Sequence, residues 1–116
     1  MKNSFRKLTL LAVSLLTTGG ALGATPPAQL YAQKCAACHG KDLKGNPAMA
    51  KMFKVEPRAM DLVSKETLAK KDAELIEITT KGKNKMPAQE GKLTADDIAG
   101  LIAYIRTQAA PEEKTK

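Results

Sequence analysis

Apolar positions along this chain recur at helical spacing, and no stretch alternates convincingly with the two-residue period of a strand. The clearest helix lies towards the C-terminus. Ile98, Leu101, Ile102 and Ile105 fall at i, i+3, i+4 and i+7, which puts them on one face. Thr94 with Asp97 three residues on makes a near capping box at its start, and Pro111 ends it. A second stretch after Asp72 brings Leu75, Ile78 and Thr79 to one side, with Asp72 as the expected cap and Gly82 as the stop. Pro26 and Pro27 suit a helix start, and "AQLYAQKCAACH" continues with Leu30, Tyr31 and Lys34 in register. A shorter helix is predicted over Ser64 to Lys70. "GKDLKGNP" and "KGKNKMPAQEGK" are predicted loops, broken by glycine and proline. Together these elements predict a small all-α fold of three to five helices joined by long loops.

The first 24 residues stand apart from that pattern. Lys2, Arg6 and Lys7 precede a short apolar run, Leu8 to Leu16, and small residues follow in "TTGGALGA". This is the layout of a secretory signal peptide over 1–24, with cleavage after Gly23 or Ala24. The run is too short and too interrupted to span a bilayer, so no stable membrane association is expected after cleavage. The mature chain then holds one domain, 25–110, and a frayed tail, 111–116. A domain this small buries a thin core and often needs a staple such as a metal or a large cofactor. With no tryptophan and two tyrosines, its own aromatics fill little of that interior.

Charge narrows the function further. The leader holds three of the 19 basic residues and none of the 12 acidic ones, which leaves the mature chain at a net +4. No aromatic residues interleave with the lysines to stack on bases, so nucleic acid is not the expected partner. A mild positive excess suits acidic protein surfaces instead.

The chemistry is concentrated in five residues. Cys35-Ala-Ala-Cys-His39 contains both cysteines and the only histidine. A structural zinc site wants four ligands, and this motif supplies three, two of them adjacent. A redox dithiol would need the motif at a helix start after a strand, and no strand pattern precedes it. A plain disulfide leaves the histidine unexplained. Covalent haem accounts for all three residues. Cysteines three apart share one side of a helical turn, where their sulfurs can add to the two vinyl groups of a porphyrin edge, and His39 follows to face the iron. An export signal agrees with this, because c-type haem is attached outside the bacterial cytoplasm.

"LYAQKCAACHG", the later "KMPA" and "LTADDIAGLIAYIR" resemble the class I cytochrome c family of small periplasmic monohaem electron carriers. The resemblance covers both ends and the Met-Pro loop; residues 48–70 match none of the family's motifs. It implies crossing N- and C-terminal helices around one haem c, Cys35 and Cys38 as the covalent attachments, His39 as proximal iron ligand and Met86 as distal ligand. It also implies that Pro47 offers its carbonyl to the proximal imidazole. Pro27 stands where relatives often carry a glycine at the helix crossing, which implies a shifted or wider crossing.

On the residues alone, the distal position is open to methionine, to lysine or to no protein group, since the sole histidine is used. Met49, Met52 and Met60 sit among apolar neighbours and read as core packing. Met86 lies in a polar loop where no apolar face requires it. Leu43, Leu75, Ile78, Leu93 and Ile102 are the expected apolar shell. Asp96 and Asp97 read as helix-start acids, not a catalytic pair. The expected function is one-electron transfer in the periplasm by a monomer, not enzymatic catalysis. Lys34, Lys41, Lys44, Lys81, Lys83 and Lys85 would face acidic docking surfaces of redox proteins. Two alternatives stay open: a haem-based small-ligand sensor and a CxxC thiol-disulfide oxidoreductase.

Overall fold

The computed structural model describes residues 25–109. The signal peptide predicted over 1–24 and the tail predicted over 111–116 therefore lie outside the described residues. Among the described residues, six α-helices follow one another: α1 (Pro27–Lys34), α2 (Ala36–His39), α3 (Pro47–Phe53), α4 (Lys65–Leu68), α5 (Asp72–Lys81) and α6 (Ala95–Ala109). A 3-10 turn over Pro57–Met60 separates α3 from α4. Among the described residues, β-pairing is limited to two isolated bridges, Lys83 with Met86 and Glu90 with Leu93.

The terminal helices meet as expected. Leu30 and Tyr31 of α1 pack with Leu101, Ile102 and Ile105 of α6, and Leu43 and Leu75 complete the cluster. Tyr31 joins three elements at once. Its ring lies 5.6 Å from that of Tyr104, and its hydroxyl donates to the Gly40 carbonyl at 2.6 Å. Burial pushes its phenol pKa upward, so it remains a neutral donor. Pro27 meets α6 at Gly100, where a Cβ would stand 3.4 Å from the proline ring. The small residue at this contact thus belongs to α6 rather than α1. The capping box forms as read: Thr94 N–H donates to Asp97 Oδ2 and Asp97 N–H to Thr94 Oγ1, each at 3.0 Å.

Local differences from the predicted helices have identifiable causes. The first helix breaks at Cys35, whose φ of −119° and ψ of −37° separate α1 from α2. Helix α3 begins inside the predicted loop, because Asn46 caps it by accepting from Ala48 and Met49 while Pro47 takes its first position. Asp72 is the first residue of α5 rather than its cap, and its carboxylate turns to Arg106.

Arg106 spreads its guanidinium over the segment before α5. Nε donates to Asp72 Oδ1 at 3.0 Å, Nη1 to the Leu68 carbonyl at 2.7 Å, and Nη2 to the Lys70 carbonyl. The Asp72 side chain is two-thirds exposed, so the ion pair itself adds little. The two carbonyls matter more, because they lose their donors if the fork goes. Arg106→Ala is expected to destabilise the domain by about 2 kcal/mol in denaturant unfolding. Arg106→Lys should recover less than half of that, since an ammonium cannot span three acceptors in one plane.

Candidate haem site

The attachment motif sits where α1 gives way to α2. Cys35 and Cys38 are half-buried and are not joined to each other, so both sulfurs remain available. Burial raises the Cys35 pKa, and the neighbouring Cys38 adds to the effect. A dithiol enzyme needs the opposite, a thiolate stabilised at neutral pH. The motif also follows a helix, not a strand. Both features disfavour the thiol-disulfide alternative.

His39 is oriented from behind. Its Nδ1 lies 2.8 Å from the Met60 carbonyl oxygen. A carbonyl only accepts, so Nδ1 carries the proton, and the lone pair of Nε2 is left free for a metal. Here the expectation for Pro47 fails. Pro47 opens α3, and the carbonyl that takes the imidazole bond comes from Met60, at the end of the 3-10 turn.

Met86 is presented by a tight turn. Lys83 and Met86 exchange both backbone hydrogen bonds, at 3.1 and 2.9 Å, with Asn84 in the left-handed region at φ 52°. The turn folds back on the end of α5 through Gln89 N–H to Thr79 O and Glu90 N–H to Thr80 O. Gly82 makes this return possible. Its φ is +77°, and a Cβ there would lie 2.6 Å from the Met86 carbonyl.

These elements enclose a cavity of about 590 Å³. Cys35, Cys38, His39 and Met86 all line it. Leu75 and Ile78 of α5 form part of its apolar wall, together with Phe53, Val55, Met60 and Leu62. The last four come from the segment that sequence motifs did not place. Leu43, Leu93 and Ile102, expected in the same shell, pack in or against the helix cluster instead. Of the methionines expected in the core, Met60 is buried and Met49 half-buried, but Met52 is 61% exposed. Lys34, Lys70, Lys83 and Lys85 line the cavity, and among the described residues no aspartate or glutamate does. Lys81 belongs to α5 and pairs with Glu77 at 3.1 Å, outside the lining.

Shape and chemistry fit a haem. The hollow is roomy and largely apolar, two free thiols stand beside an imidazole with its metal-facing nitrogen unengaged, and a thioether shares the lining. Cationic side chains without acidic ones suit a ligand that carries two carboxylates.

Comparison with known proteins gives the same class. Residues 23–105 match the family described as cytochrome C oxidase, cbb3-type, subunit III. The chain is 34% identical over 114 residues to cytochrome c6 of a Picosynechococcus species, covering 90% of this chain and 95% of that one. Cytochrome c6 of Thermosynechococcus vestitus is 35% identical over 115 residues, covering 95% and 96%. The cbb3-type cytochrome c oxidase subunit FixP of a Bradyrhizobium species is 36% identical over 98 residues, 83% of this chain. The chain spans about a third of that longer relative, 31% of its length. The chain belongs to the class I monohaem cytochrome c family. It carries one covalently attached haem c and is an electron-transfer protein rather than an enzyme.

Proposed function

We propose that this cytochrome is an exported, monomeric one-electron carrier with His39 and Met86 as axial ligands, docking through its lysine-flanked cavity on acidic faces of redox partners. The observation that carries the reading is that His39 and Met86 line the same cavity as Cys35 and Cys38. The haem, when bound, supplies an iron that takes up and gives back a single electron. His39 would offer Nε2 and Met86 its thioether to the iron, and a small ligand would then have to compete with a tethered protein donor. This ligand pair favours the reduced state relative to two histidines. Leu62, Leu75 and Ile78 support it by excluding water.

Export rests on the leader-like 1–24, and a periplasmic form with an intact mass starting at Ala24 or Thr25 is its expected signature. Among the described residues, no helix is long and apolar enough to cross a membrane.

The partner reading rests on Lys34, Lys83 and Lys85, which are exposed at the cavity with no acidic side chain in its lining. Like charge around this mouth would attract an acidic face, orient it and oppose self-association. Electron transfer to an acidic redox partner should be fast at low salt and fall steeply as the Debye length drops to about 10 Å. Reversing Lys83 and Lys85 to Glu should slow it at least ~10-fold at low ionic strength and flatten the salt dependence. Stopped-flow rates that ignore both salt and the reversal would show that these lysines only solubilise.

A further inference from the structure

The Met60 carbonyl reaches His39 because two backbone segments press together, and Gly45 is where they touch. The loop that follows the motif is bonded to it on one side. Gly45 N–H donates to the His39 carbonyl at 2.7 Å and Asn46 N–H to the Cys38 carbonyl at 3.0 Å. Asn46 Nδ2 adds a bond to the Ala37 carbonyl at 3.0 Å. On its other side the same loop holds the chain after the 3-10 turn, through Leu62 N–H to the Leu43 carbonyl at 2.8 Å. Gly45 sits between these attachments at φ +94°. A Cβ on it would lie 3.0 Å from the Pro57 carbonyl oxygen and 3.1 Å from Met60 Cβ, the two ends of the 3-10 turn.

The Met60 carbonyl is the last of that turn and has no N–H folding back on it. Val63 N–H, which a continued turn would direct there, goes to Asp61 Oδ1 at 2.8 Å. The oxygen is therefore free to accept from His39, and its position depends on how closely the turn approaches the loop.

We propose that Gly45 is a positioning residue for the axial imidazole: by letting the Pro57–Met60 turn close on the motif loop, it sets the Met60 carbonyl on His39 Nδ1 and thereby lowers the reduction potential. The proposal rests on His39 being an iron ligand, as argued above. A strong acceptor on Nδ1–H makes the imidazole more basic, and a more basic ligand favours the oxidised iron. Moving the turn outward weakens that bond and favours reduction. No residue type marks this function, because the group at work is a backbone carbonyl and the side chain at Gly45 is absent.

The test uses matured holoprotein and two variants that displace the turn by different means. Gly45→Ala inserts the Cβ, and Pro57→Gly loosens the start of the turn while adding no atom between turn and loop. Thr94→Ala, which removes the α6 cap, serves as a comparison for general destabilisation. Each protein is read by potentiometric titration, by hydrogen exchange of the His39 Nδ1–H in nitrogen-15 NMR, and by its absorption spectrum. Gly45→Ala and Pro57→Gly should raise the reduced-to-oxidised ratio at fixed external potential ~3- to 10-fold, about 30–60 mV for one electron. Both should also speed Nδ1–H exchange, while Thr94→Ala changes neither. Should Gly45→Ala not fold, Pro57→Gly still decides the matter. Unchanged potential and exchange in a variant that keeps the wild-type spectrum would overturn the proposal. So would an equal shift in Thr94→Ala. A wild-type spectrum without histidine ligation would instead refute the ligand reading.

Discussion

Cys38→Ala and Cys35→Ala should each reduce the yield of folded cytochrome at least ~10-fold, and the double variant should give a largely unfolded chain. Two roles of the motif combine here. On the proposed reading each sulfur would hold one vinyl group of the haem, and the haem would fill the centre of a domain whose described core is otherwise a thin cluster between α1, α5 and α6. A dry cavity costs ~24 cal/mol per Å³. On that scale a 590 Å³ hollow forfeits at most about 14 kcal/mol, an upper bound because its mouth admits water. The total stability of a domain is ~5–15 kcal/mol. The apo chain therefore has little left to fold with. Far-UV circular dichroism of apoprotein, compared with protein matured by haem-attachment machinery, measures this directly. Haem should also survive acid–acetone extraction and denaturing gels in the wild type. Its release from correctly matured wild type would rule out the thioether links.

Much of this was legible in the sequence because it depends on residue type at fixed spacing. The α6 stripe and its Thr94–Asp97 box are of that kind and appear in the structure as read; the Cys35–His39 motif is of that kind too, and its Cys35, Cys38 and His39 line one cavity. What escaped depends on backbone position or on contacts distant along the chain. Pro47 after Asn46 is a helix start, yet among nearby glycines a proline reads as a breaker, so the predicted loop conceals the start of α3. The wall from Phe53 to Lys70 carries no helical stripe, because it faces a cofactor rather than a neighbouring helix. Met60 read correctly as buried, but its carbonyl, which replaces the one expected from Pro47, has no side-chain signature. Arg106 reaches carbonyls 36 and 38 residues away, and an arginine in the last turn of a helix gives no hint of them. Lys81 joined Lys83 and Lys85 in the sequence, but its helical register gives it Glu77 instead of the cavity.

Met86→Ala is the second large effect expected, and it separates electron carrier from ligand sensor. The Lys83–Met86 turn is closed by its own backbone bonds, and Gly82, Gln89 and Glu90 tie it to α5. Truncating the side chain should leave this scaffold standing, so the loss is chemical rather than structural. Four consequences should follow together: the thioether–iron charge-transfer band of the oxidised protein disappears, the potential falls, imidazole or cyanide binds at least ~100-fold more tightly, and thermal stability drops modestly. Tighter binding follows because an added ligand no longer has to displace a tethered thioether. Lys83 and Lys85 line the same cavity from the same loop. Met60→Ala is the matched comparison, since Met60 lines the same cavity from the His39 side. It should keep the charge-transfer band. Loss of the band in Met60→Ala and its persistence in Met86→Ala would move the distal ligand to the Pro57–Met60 turn. A wild-type protein that already binds cyanide as tightly as Met86→Ala would instead favour a sensor with an open distal side.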